Sequence, residues 1–244
     1  MIPLRDENPT RRRAVVTLVL IALNVAIYFG VQPSVHDPAI NDFVYEFAAV
    51  PCEVTTNEPI SEVEYATGTC NELPEREPIF PAKSVFLAVL ISMFLHGSFM
   101  HLAGNMLFLW VFGNNIEDHL GGTAYLAFYL FGGILATVAH VAVDPSSTIP
   151  VVGASGAIAA VMGAYLSWFP NVRIRGLFML FFPIALTAKW FLGWWFFSQF
   201  SDAFNPNSGV AWGAHVGGFV FGFVAGLVLR ATRGDRRPAR RGLV

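Results

Sequence analysis

Charged residues are scarce in this chain, and their scarcity excludes an ordinary soluble domain. Asp, Glu, Lys and Arg make up 13% of the 244 residues, whereas hydrophobic residues make up 55% and the mean hydropathy is +0.54. Soluble domains carry about 25% charged residues. The composition therefore predicts an integral membrane protein, and nothing in it indicates nucleic-acid recognition.

Cysteine is rare too, because Cys52 and Cys70 are the two cysteines of the chain. They are too few for the usual structural metal sites, and neither a metal nor an organic cofactor is expected. Both lie in the segment 32–84, where an oxidising compartment would allow them to pair. Our hypothesis is a disulfide that pins this segment; the alternatives are two unpaired thiols or a bridge without a functional role.

Six apolar segments have the length of a membrane-spanning helix, roughly 17 to 25 residues. They predict an all-α integral membrane protein, a six-transmembrane-helix bundle with a long outer loop between helices 1 and 2. The predicted parts are a cytoplasmic N-terminal segment (1–13), the six-helix domain (14–230, with its loop at about 32–84) and a basic cytoplasmic tail (231–244). The second segment has 28 residues, or about 42 Å of helix, so part of 85–95 is expected in the interface. The segments are 14–31, 85–112, 124–143, 151–169, 177–200 and 210–229.

The distribution of charge predicts the orientation in the membrane. Basic residues form three clusters, which six spans would place on one side: Arg5 with Arg11 to Arg13, Arg173 with Arg175, and six arginines from Arg230 to Arg241. The segment 32–84 instead carries ten acidic residues against Arg76 and Lys83. Since Lys and Arg are enriched in cytoplasmic loops, this segment is predicted outside and both termini in the cytoplasm. The arginine placement and the short termini favour a bacterial plasma membrane.

A serine and a histidine are predicted at one depth in this bundle. Ser155 lies about four residues below the start of the fourth segment and His215 about five below the start of the sixth, so both lie roughly 6 to 8 Å inside. Ser155 by itself could bond to its own helix backbone, whereas a histidine within a span is costly and often functional. Together they predict a nucleophile and its base.

Small residues follow one face of each of these two segments. Such residues let helices pack closely in a bilayer, so we expect Gly218, Gly222 and Gly226 to serve helix packing, and Gly222 and Gly226 need no catalytic role. The two stripes consist of His215, Gly218, Gly222 and Gly226 on the sixth segment and of Ser155, Ala159 and Gly163 on the fourth.

Two further polar residues, His101 and Asn105, share a face of the second segment because they are four residues apart. Such groups need partners in hydrocarbon. One interpretation is an oxyanion hole, in which both side chains join the backbone N–H of Ser155 around a developing negative charge. The other is a hydrogen-bonded pair between helices.

Several polar and aromatic residues are interpreted as lying outside this constellation. Lys189, within the fifth segment, indicates a boundary error or snorkelling, or else a gating or substrate-contact role. The remaining ones are His36, His119 and His140, interpreted as solvated or interfacial, and Trp190, Trp194 and Trp195, interpreted as lipid-facing or interfacial.

The motifs together resemble the rhomboid family of intramembrane serine proteases, from the first segment to the last. The stretch from Phe94 to Asn105, with His96 and His101, resembles the family's second-span signature. Gly153-Ala154-Ser155-Gly156 resembles its nucleophile motif, and the stretch from Ala214 to Gly222 resembles its last-span base motif. The resemblance implies a six-helix core that opens to water on the outer side, with Ser155 as nucleophile and His215 as general base. His101, Asn105, Gly153 and Ala154 form the expected oxyanion and substrate-binding set.

The sequence departs from the family pattern at the base. Many members carry a tyrosine four residues after the serine, which stacks on the histidine, whereas Ala159 stands here. Stacking must then come from elsewhere or be lost. Segments four to six contain no Asp or Glu, which agrees with a Ser-His dyad whose base is held by packing.

The expected function is an intramembrane serine endopeptidase that cleaves transmembrane segments of membrane-protein substrates near the outer face, through an acyl-enzyme. Its expected partners are these substrates and the lipid bilayer; the oligomeric state is not indicated. The alternative is a noncatalytic scaffold of the same fold that binds membrane helices. Loss of the serine or the histidine would mark such a scaffold, and both residues are present.

Overall fold

The computed structural model of the protein describes residues 1–70, 77–179, 181–205 and 209–233. Arg76 and the basic tail after Arg233 lie outside the described residues. The described chain is mostly helical but contains a small sheet, so the all-α prediction is wrong in that respect. The helices are α1 (Val15–Gly30), α2 (Ile40–Phe47), α3 (Pro51–Thr56), α4 (Glu62–Thr67), α5 (Val85–Ile91), α6 (Phe99–Leu120), α7 (Gly122–Val143), α8 (Ser155–Trp168), α9 (Ala188–Ala203) and α10 (Trp212–Arg233), and the strands are β1 (Ile2–Asp6), β2 (Arg173–Phe178) and β3 (Phe182–Thr187).

Two of the described helices, α7 and α10, are long and apolar enough to cross a membrane. The pair α5 and α6 meets the same criteria together, but the two helices are bent by 80°, so they make a third span only if the pair is one broken span. Helices α1 and α8 are apolar but have only 16 and 14 residues. A 14-residue helix is about 21 Å long, less than the ~30 Å hydrocarbon core. The count of six spanning helices therefore stays a prediction.

The bend between α5 and α6 has a local cause in the sequence. A short 3₁₀ turn over Ser92–Phe94 ends α5, and the chain is extended at Leu95 and Ser98. Ser98 then caps α6, because its hydroxyl accepts a hydrogen bond from the backbone N–H of His101 at 3.1 Å. The overlong second segment is thus divided into two helices. The cap at Ser98 fixes the start of α6, so His101 lies in its first turn.

Helix α8 is the centre of the bundle, and 12 of its 14 residues are buried. Its backbone lies in direct contact with that of α10. A Cβ atom at Gly222 would lie 1.8 Å from the carbonyl oxygen of Ala160, and one at Gly218 would lie 2.3 Å from that of Gly156. From the α8 side, a Cβ at Gly163 would lie 2.1 Å from the carbonyl oxygen of Phe219. The two helix backbones can come this close only because the residues at these three positions have no Cβ atom.

We predict that Gly222→Ala lowers the stability of the protein. The added Cβ would overlap the carbonyl oxygen of Ala160, which belongs to a helix backbone and cannot turn aside. Overpacking of this kind costs about 1–3 kcal/mol. Thermal unfolding in detergent should show a lower midpoint, whereas Gly193→Ala, where a Cβ meets nothing within 4 Å, should keep the wild-type midpoint. Equal midpoints for the two variants would contradict the close contact.

The predicted fifth span is wrong in its first half, because β2 and β3 form an antiparallel hairpin there. Arg173 pairs with Thr187 at its base and Phe178 with Phe182 near its tip. Helix α9 begins only at Ala188, which puts the exposed Lys189 in its first turn. A boundary error thus accounts for the lysine, since an apolar run does not by itself distinguish strand from helix.

Strand β1 joins the hairpin as its third strand, antiparallel to β2. Its last residue, Asp6, ties the sheet to the helices: the carboxylate accepts hydrogen bonds from the hydroxyl of Tyr165 on α8 (2.6 Å) and from the side-chain amide of Asn115 on α6 (2.7 Å). Burial raises the pKa of Asp6 to about 6, against the opposing effect of its hydrogen bonds. The predicted N-terminal segment is therefore in contact with the bundle.

We predict that Asp6 makes stability depend on pH. Its pKa is about 6 in the folded protein against an ordinary 3.8, so folding takes up a proton, and the contribution of Asp6 is complete below pH 3.8 and lost as the pH rises through 6. Asp6→Asn keeps an acceptor oxygen and removes this titration. Thermal midpoints measured across that window should fall with rising pH less in Asp6→Asn than in the wild type, while the exposed Asp42→Asn should follow the wild type. An unchanged pH dependence in Asp6→Asn would refute the assignment.

The connecting segment, residues 32–84, is folded where it is described rather than a simple loop. Helices α2 to α4 surround a small core formed by Val50, Cys52 and Ile60. Cys52 and Cys70 form a disulfide, so the two sulfur atoms are not available as thiolate ligands although Glu64 lies beside them.

A buried ion pair joins α3 to the end of the connecting segment, just before α5. The ammonium of Lys83 lies 2.5 Å from the carboxylate of Glu53 and also donates to the carbonyl oxygen of Tyr45, and neither charged side chain is more than 1% exposed. Removing one partner of such a pair leaves a buried charge unpaired, at a cost of about 3–5 kcal/mol. The ion pair therefore fixes α3 relative to the residues that lead into α5.

Candidate active site

Ser155 is the first residue of α8, at the point where irregular chain becomes helix. The predicted fourth span, which starts at 151, begins four residues too early, so Ser155 lies at the helix end rather than one turn inside it. The N–H groups of a first helical turn have no partner within the helix and carry partial positive charge. The serine hydroxyl therefore stands where negative charge is favoured.

Hydrogen bonds from two directions fix the chain that leads to Ser155. The N–H of Val151 donates to the carbonyl oxygen of Ala49 at 2.8 Å, and the N–H of Gly153 donates to that of Ser92 at 2.9 Å. The hydroxyl of Ser92 accepts a bond from the N–H of Ala49, also at 2.9 Å. The connecting segment and the turn after α5 thus hold the approach to the serine, a role for Ser92 that no motif in the sequence indicates.

His215 lies one turn into α10, and its Nε2 atom is 2.8 Å from Oγ of Ser155. This is a hydrogen-bond distance. The pair meets because Gly218, the next residue along the same face of α10, lies against the carbonyl of Gly156, beside the serine. The structure therefore brings together the serine and histidine that the sequence pairs.

Gln199 of α9 is a third polar residue at this site, and sequence reasoning misses it. Its Oε1 atom lies 2.6 Å from Nδ1 of His215, and the residue is only 7% exposed. The histidine is thus held by a hydrogen bond, where the sequence predicts packing alone. The signal that could have found it is a glutamine within an apolar segment, because a buried amide needs partners.

The tryptophans of α9 divide between two environments. Trp190 and Trp194 are 69% and 64% exposed, in line with a lipid-facing position. Trp195 instead lines the site, with its ring centre 5.8 Å from that of His215, so the interpretation of this residue as lipid-facing is wrong. Ala159 is fully buried. The resemblance leads us to expect an aromatic ring at position 159 of α8 beside the base. Here the ring beside His215 comes from Trp195 of α9 instead.

The opposite wall of the site is formed by His101 and Asn105 of α6. A Cβ at Gly153 would lie 2.8 Å from the ring of His101 and 3.6 Å from the amide nitrogen of Asn105, so the chain before Ser155 passes directly beside both. Gly153 also has φ +122°, which side-chain-bearing residues rarely adopt. Ala154, the next residue, is buried and precedes the first turn of α8.

Asn105 carries an unused donor at this wall. The residue is 8% exposed, and its amide nitrogen has no hydrogen-bond partner among the described residues. The described chain therefore does not show the amide nitrogen of Asn105 in a hydrogen-bonded pair between helices. A buried donor without a partner is costly, and its presence beside the serine indicates a place for an acceptor.

His96 supports His101 from behind. Its ring contacts that of His101 edge to face at 5.1 Å, and the residue is 1% exposed. The side chain of Gln32 holds the His96 backbone at both ends, by accepting from its N–H at 3.0 Å and donating to its carbonyl at 2.7 Å. The turn before α6 is thus fixed by a residue at the start of the connecting segment.

Ser155, His215, His101, Asn105 and Trp195 line a cavity of about 1010 Å³. Ligand pockets commonly have about 300–1,000 Å³, so this one is large enough for a short peptide segment. His140 of α7 also lines it, so the interpretation of this residue as lying outside the constellation is wrong. The polar side chains of the lining include Ser98, His101, Asn105, His140, Ser155 and His215.

We predict that Gly153→Ala abolishes the reactivity of Ser155 toward a fluorophosphonate probe. The new Cβ would overlap the ring of His101 in a backbone conformation that alanine rarely adopts. Gly30→Ala, where a Cβ meets nothing within 4 Å, is the matched control and should react as the wild type does. Both variants should be compared at equal amounts of folded protein, and full labelling of Gly153→Ala would contradict this geometry.

Comparison with known proteins gives matches that cover this site. The family model described as "Rhomboid domain" matches residues 83–232. The chain is 35% identical over 156 residues to the "Presenilin-associated rhomboid-like protein, mitochondrial" of Bos taurus, and 34% identical over 156 residues to the protein of that name from Homo sapiens; each match covers 58% of this chain and 38% of the relative. It is 29% identical over 164 residues to "Rhomboid protein 1, mitochondrial" of Saccharomyces cerevisiae, covering 63% of this chain and 45% of that protein. The chain thus matches less than half the length of these relatives.

The names of these relatives contradict one prediction. They are mitochondrial proteins of eukaryotes, so the expected location in a bacterial plasma membrane is wrong. The error has a physical reason: the placement of arginines indicates which side of a membrane a loop occupies, and it carries no information about which membrane that is.

Proposed function

The chain belongs to the rhomboid family, and on that basis we propose that it is an intramembrane serine endopeptidase with Ser155 as nucleophile and His215 as general base. The single observation that carries this proposal is the 2.8 Å contact between Oγ of Ser155 and Nε2 of His215 in a cavity with unused donors. Such a contact is the geometric requirement for a base to activate a hydroxyl.

The reaction is an acyl transfer in two halves. His215 takes the hydroxyl proton while Oγ of Ser155 forms a bond to the carbonyl carbon of the substrate peptide. The tetrahedral intermediate then loses the amine, which receives the proton from His215, and an ester to Ser155 remains. A water molecule, deprotonated by the same histidine, hydrolyses this ester and restores the free serine.

The negative charge of the tetrahedral intermediate is met by donors on two sides. Asn105 and His101 lie on the α6 wall, next to Gly153, and the backbone N–H of Ser155 begins α8. Donors fixed in a buried site stabilise a developing oxyanion strongly, because they need no reorganisation during the reaction. Under this proposal the unpaired amide nitrogen of Asn105 donates a hydrogen bond to the negatively charged oxygen of the intermediate.

The proposed substrates are membrane proteins, as expected for a protein of this membrane family. The cavity would receive a transmembrane segment unwound near one membrane face, and the acidic connecting segment would mark that face as the outer one. Six membrane-spanning helices complete this proposal, with short ones such as α8 enclosed by longer neighbours. By the names of the matched relatives, a mitochondrial membrane is the proposed location.

We predict that Ser155→Ala and His215→Ala each reduce cleavage of a fluorogenic transmembrane-segment substrate by at least about 10³-fold, the order expected when a nucleophile or its base is removed. Purified protein in lipid vesicles should be compared with Ser201→Ala and His36→Ala, two exposed residues outside the site. The two controls should cleave as fast as the wild type.

The same assay separates the protease from the noncatalytic scaffold. Cleavage by both site variants at the wild-type rate would show that the assignment is wrong. A wild type that neither cleaves a panel of transmembrane substrates nor reacts with a fluorophosphonate, yet retains those substrates in pull-down, would favour the scaffold.

A further inference from the structure

Gln199 is an amide placed where serine hydrolases of the three-member type hold a carboxylate. It projects from α9 toward α10 and is almost fully buried. Its Oε1 atom contacts Nδ1 of His215 at 2.6 Å, on the side of the imidazole ring opposite Ser155. A polar group buried at such a place needs a defined hydrogen-bond arrangement.

The surroundings of Gln199 fix which end of the amide faces the histidine. Its Nε2 atom lies 2.9 Å from the carbonyl oxygen of Trp195, one helical turn earlier, and 3.2 Å from the hydroxyl of Ser198. The carbonyl of Trp195 can only accept, so the NH₂ end of Gln199 must be the end directed at it. The oxygen end therefore faces His215, and rotating the amide by 180° would place two oxygens against each other.

This orientation selects one form of the imidazole. The amide oxygen of Gln199 is an acceptor, so Nδ1 of His215 must carry the proton and donate it. In the neutral ring Nε2 is then unprotonated and accepts the hydroxyl proton of Ser155 at 2.8 Å. The other tautomer would place two acceptors 2.6 Å apart at Nδ1 and would direct a second proton at the serine.

The indole of Trp195 restricts the ring in the remaining direction. Trp195 and Gln199 are four residues apart and lie on one face of α9. The indole lies 5.8 Å from His215 at an angle of 39°, and it also contacts Phe219, one turn further along α10. One helix face therefore supplies both a hydrogen bond to Nδ1 of the imidazole and a tilted aromatic contact with its ring.

From this geometry we infer that Gln199 is a positioning residue, which holds His215 as the Nδ1-protonated tautomer with Nε2 directed at Ser155. The inference deepens the proposed function and rests on it for the effect on catalysis. Gln199 does not line the cavity and contacts His215 at Nδ1, away from the serine, so we expect its effect in turnover rather than in substrate affinity.

The first test compares three variants in the cleavage assay and in fluorophosphonate labelling. Gln199→Met has similar length and no acceptor, and it should lower kcat roughly tenfold or more with little change in KM, a part of the 10²–10⁴-fold that a positioned base contributes. Gln199→Glu, with its carboxyl protonated, keeps an acceptor oxygen for Nδ1 and an O–H for the carbonyl of Trp195, so it should retain more activity than Gln199→Met. Ser201→Ala, an exposed change on the same helix, should leave both readouts unchanged. Loss of activity to the same extent in Met and Glu variants of equal thermal midpoint would overturn the inference, as would wild-type kcat in Gln199→Met.

The second test needs no change at Gln199. In protein labelled with ¹⁵N-histidine, the two ring nitrogen shifts of His215, assigned through His215→Asn, report the tautomer of the neutral ring. The expected result is a protonated Nδ1 and an unprotonated Nε2 in the wild type. A ring protonated at Nε2, or an even mixture of tautomers, would overturn the inference even if Gln199→Met fails to fold. If the wild type proves inert toward all substrates and probes, the proposed function fails, and these shifts still decide the hydrogen bond.

Discussion

The contact on which the site depends is the one between the backbones of α8 and α10. Helices normally lie 8–10 Å apart, and side chains fill the space between them. Here Gly163, Gly218 and Gly222 remove those side chains, so carbonyl groups of one helix lie against Cα atoms of the other. Ser155 begins one helix and His215 lies one turn into the other, so their 2.8 Å separation follows from how closely the axes approach. A wider spacing would leave both residues in place and separate their reacting atoms.

Around this contact, neighbouring elements satisfy polar groups one by one. The carbonyl of Ser92 accepts from the N–H of Gly153, the side chain of Gln32 binds the backbone of His96, and Gln199 binds His215. In an apolar environment each such bond also removes the cost of an unpaired group, so the arrangement is rigid as well as satisfied. Three residues differ, since the amide nitrogen of Asn105, both ring nitrogens of His96 and Nδ1 of His140 have no hydrogen-bond partner within the described chain. The backbone before Ser155 and the ring of His215 are thus held by hydrogen bonds, while the amide nitrogen of Asn105 beside the serine is left for an acceptor, as a preorganised oxyanion site would require.

The sequence predicts some of this architecture and misses the rest for identifiable reasons. Hydropathy places α1, α7 and α10 to within a few residues of 14–31, 124–143 and 210–229, because long apolar runs have few other uses. It fails at 177–187, where an apolar hairpin gives the same signal as a helix. It also places Ser155 one turn too deep, since Val151 to Ala154 are apolar but bonded to Ala49 and Ser92, contacts between residues distant in sequence.

Helical spacing predicts the meeting of Ser155 with His215, but it gives no indication of Gln199. That residue comes from a third helix, α9, which begins at Ala188 rather than at 177, and no helical spacing connects it to the other two residues. The same limitation applies to Trp195, which has the composition of a lipid-facing residue and yet lies against the base. The sequence indicates a residue of this kind only through the free energy that its burial would cost. A glutamine amide within an apolar segment is such an indication, because it needs hydrogen-bond partners there.

A neutral amide behind His215 suits a site of this kind for a physical reason. A carboxylate would orient the ring equally well and would also stabilise the imidazolium that forms during catalysis, but taking an ionised carboxylate out of water costs several kcal/mol whenever the histidine is neutral. An amide fixes the tautomer without carrying charge, at the expense of weaker support for the imidazolium. The catalysis proposed here must then draw more heavily on the donors around the oxyanion, His101, Asn105 and the first turn of α8. This division explains why the groups behind the base are neutral and fully bonded while a donor facing the substrate is unpaired.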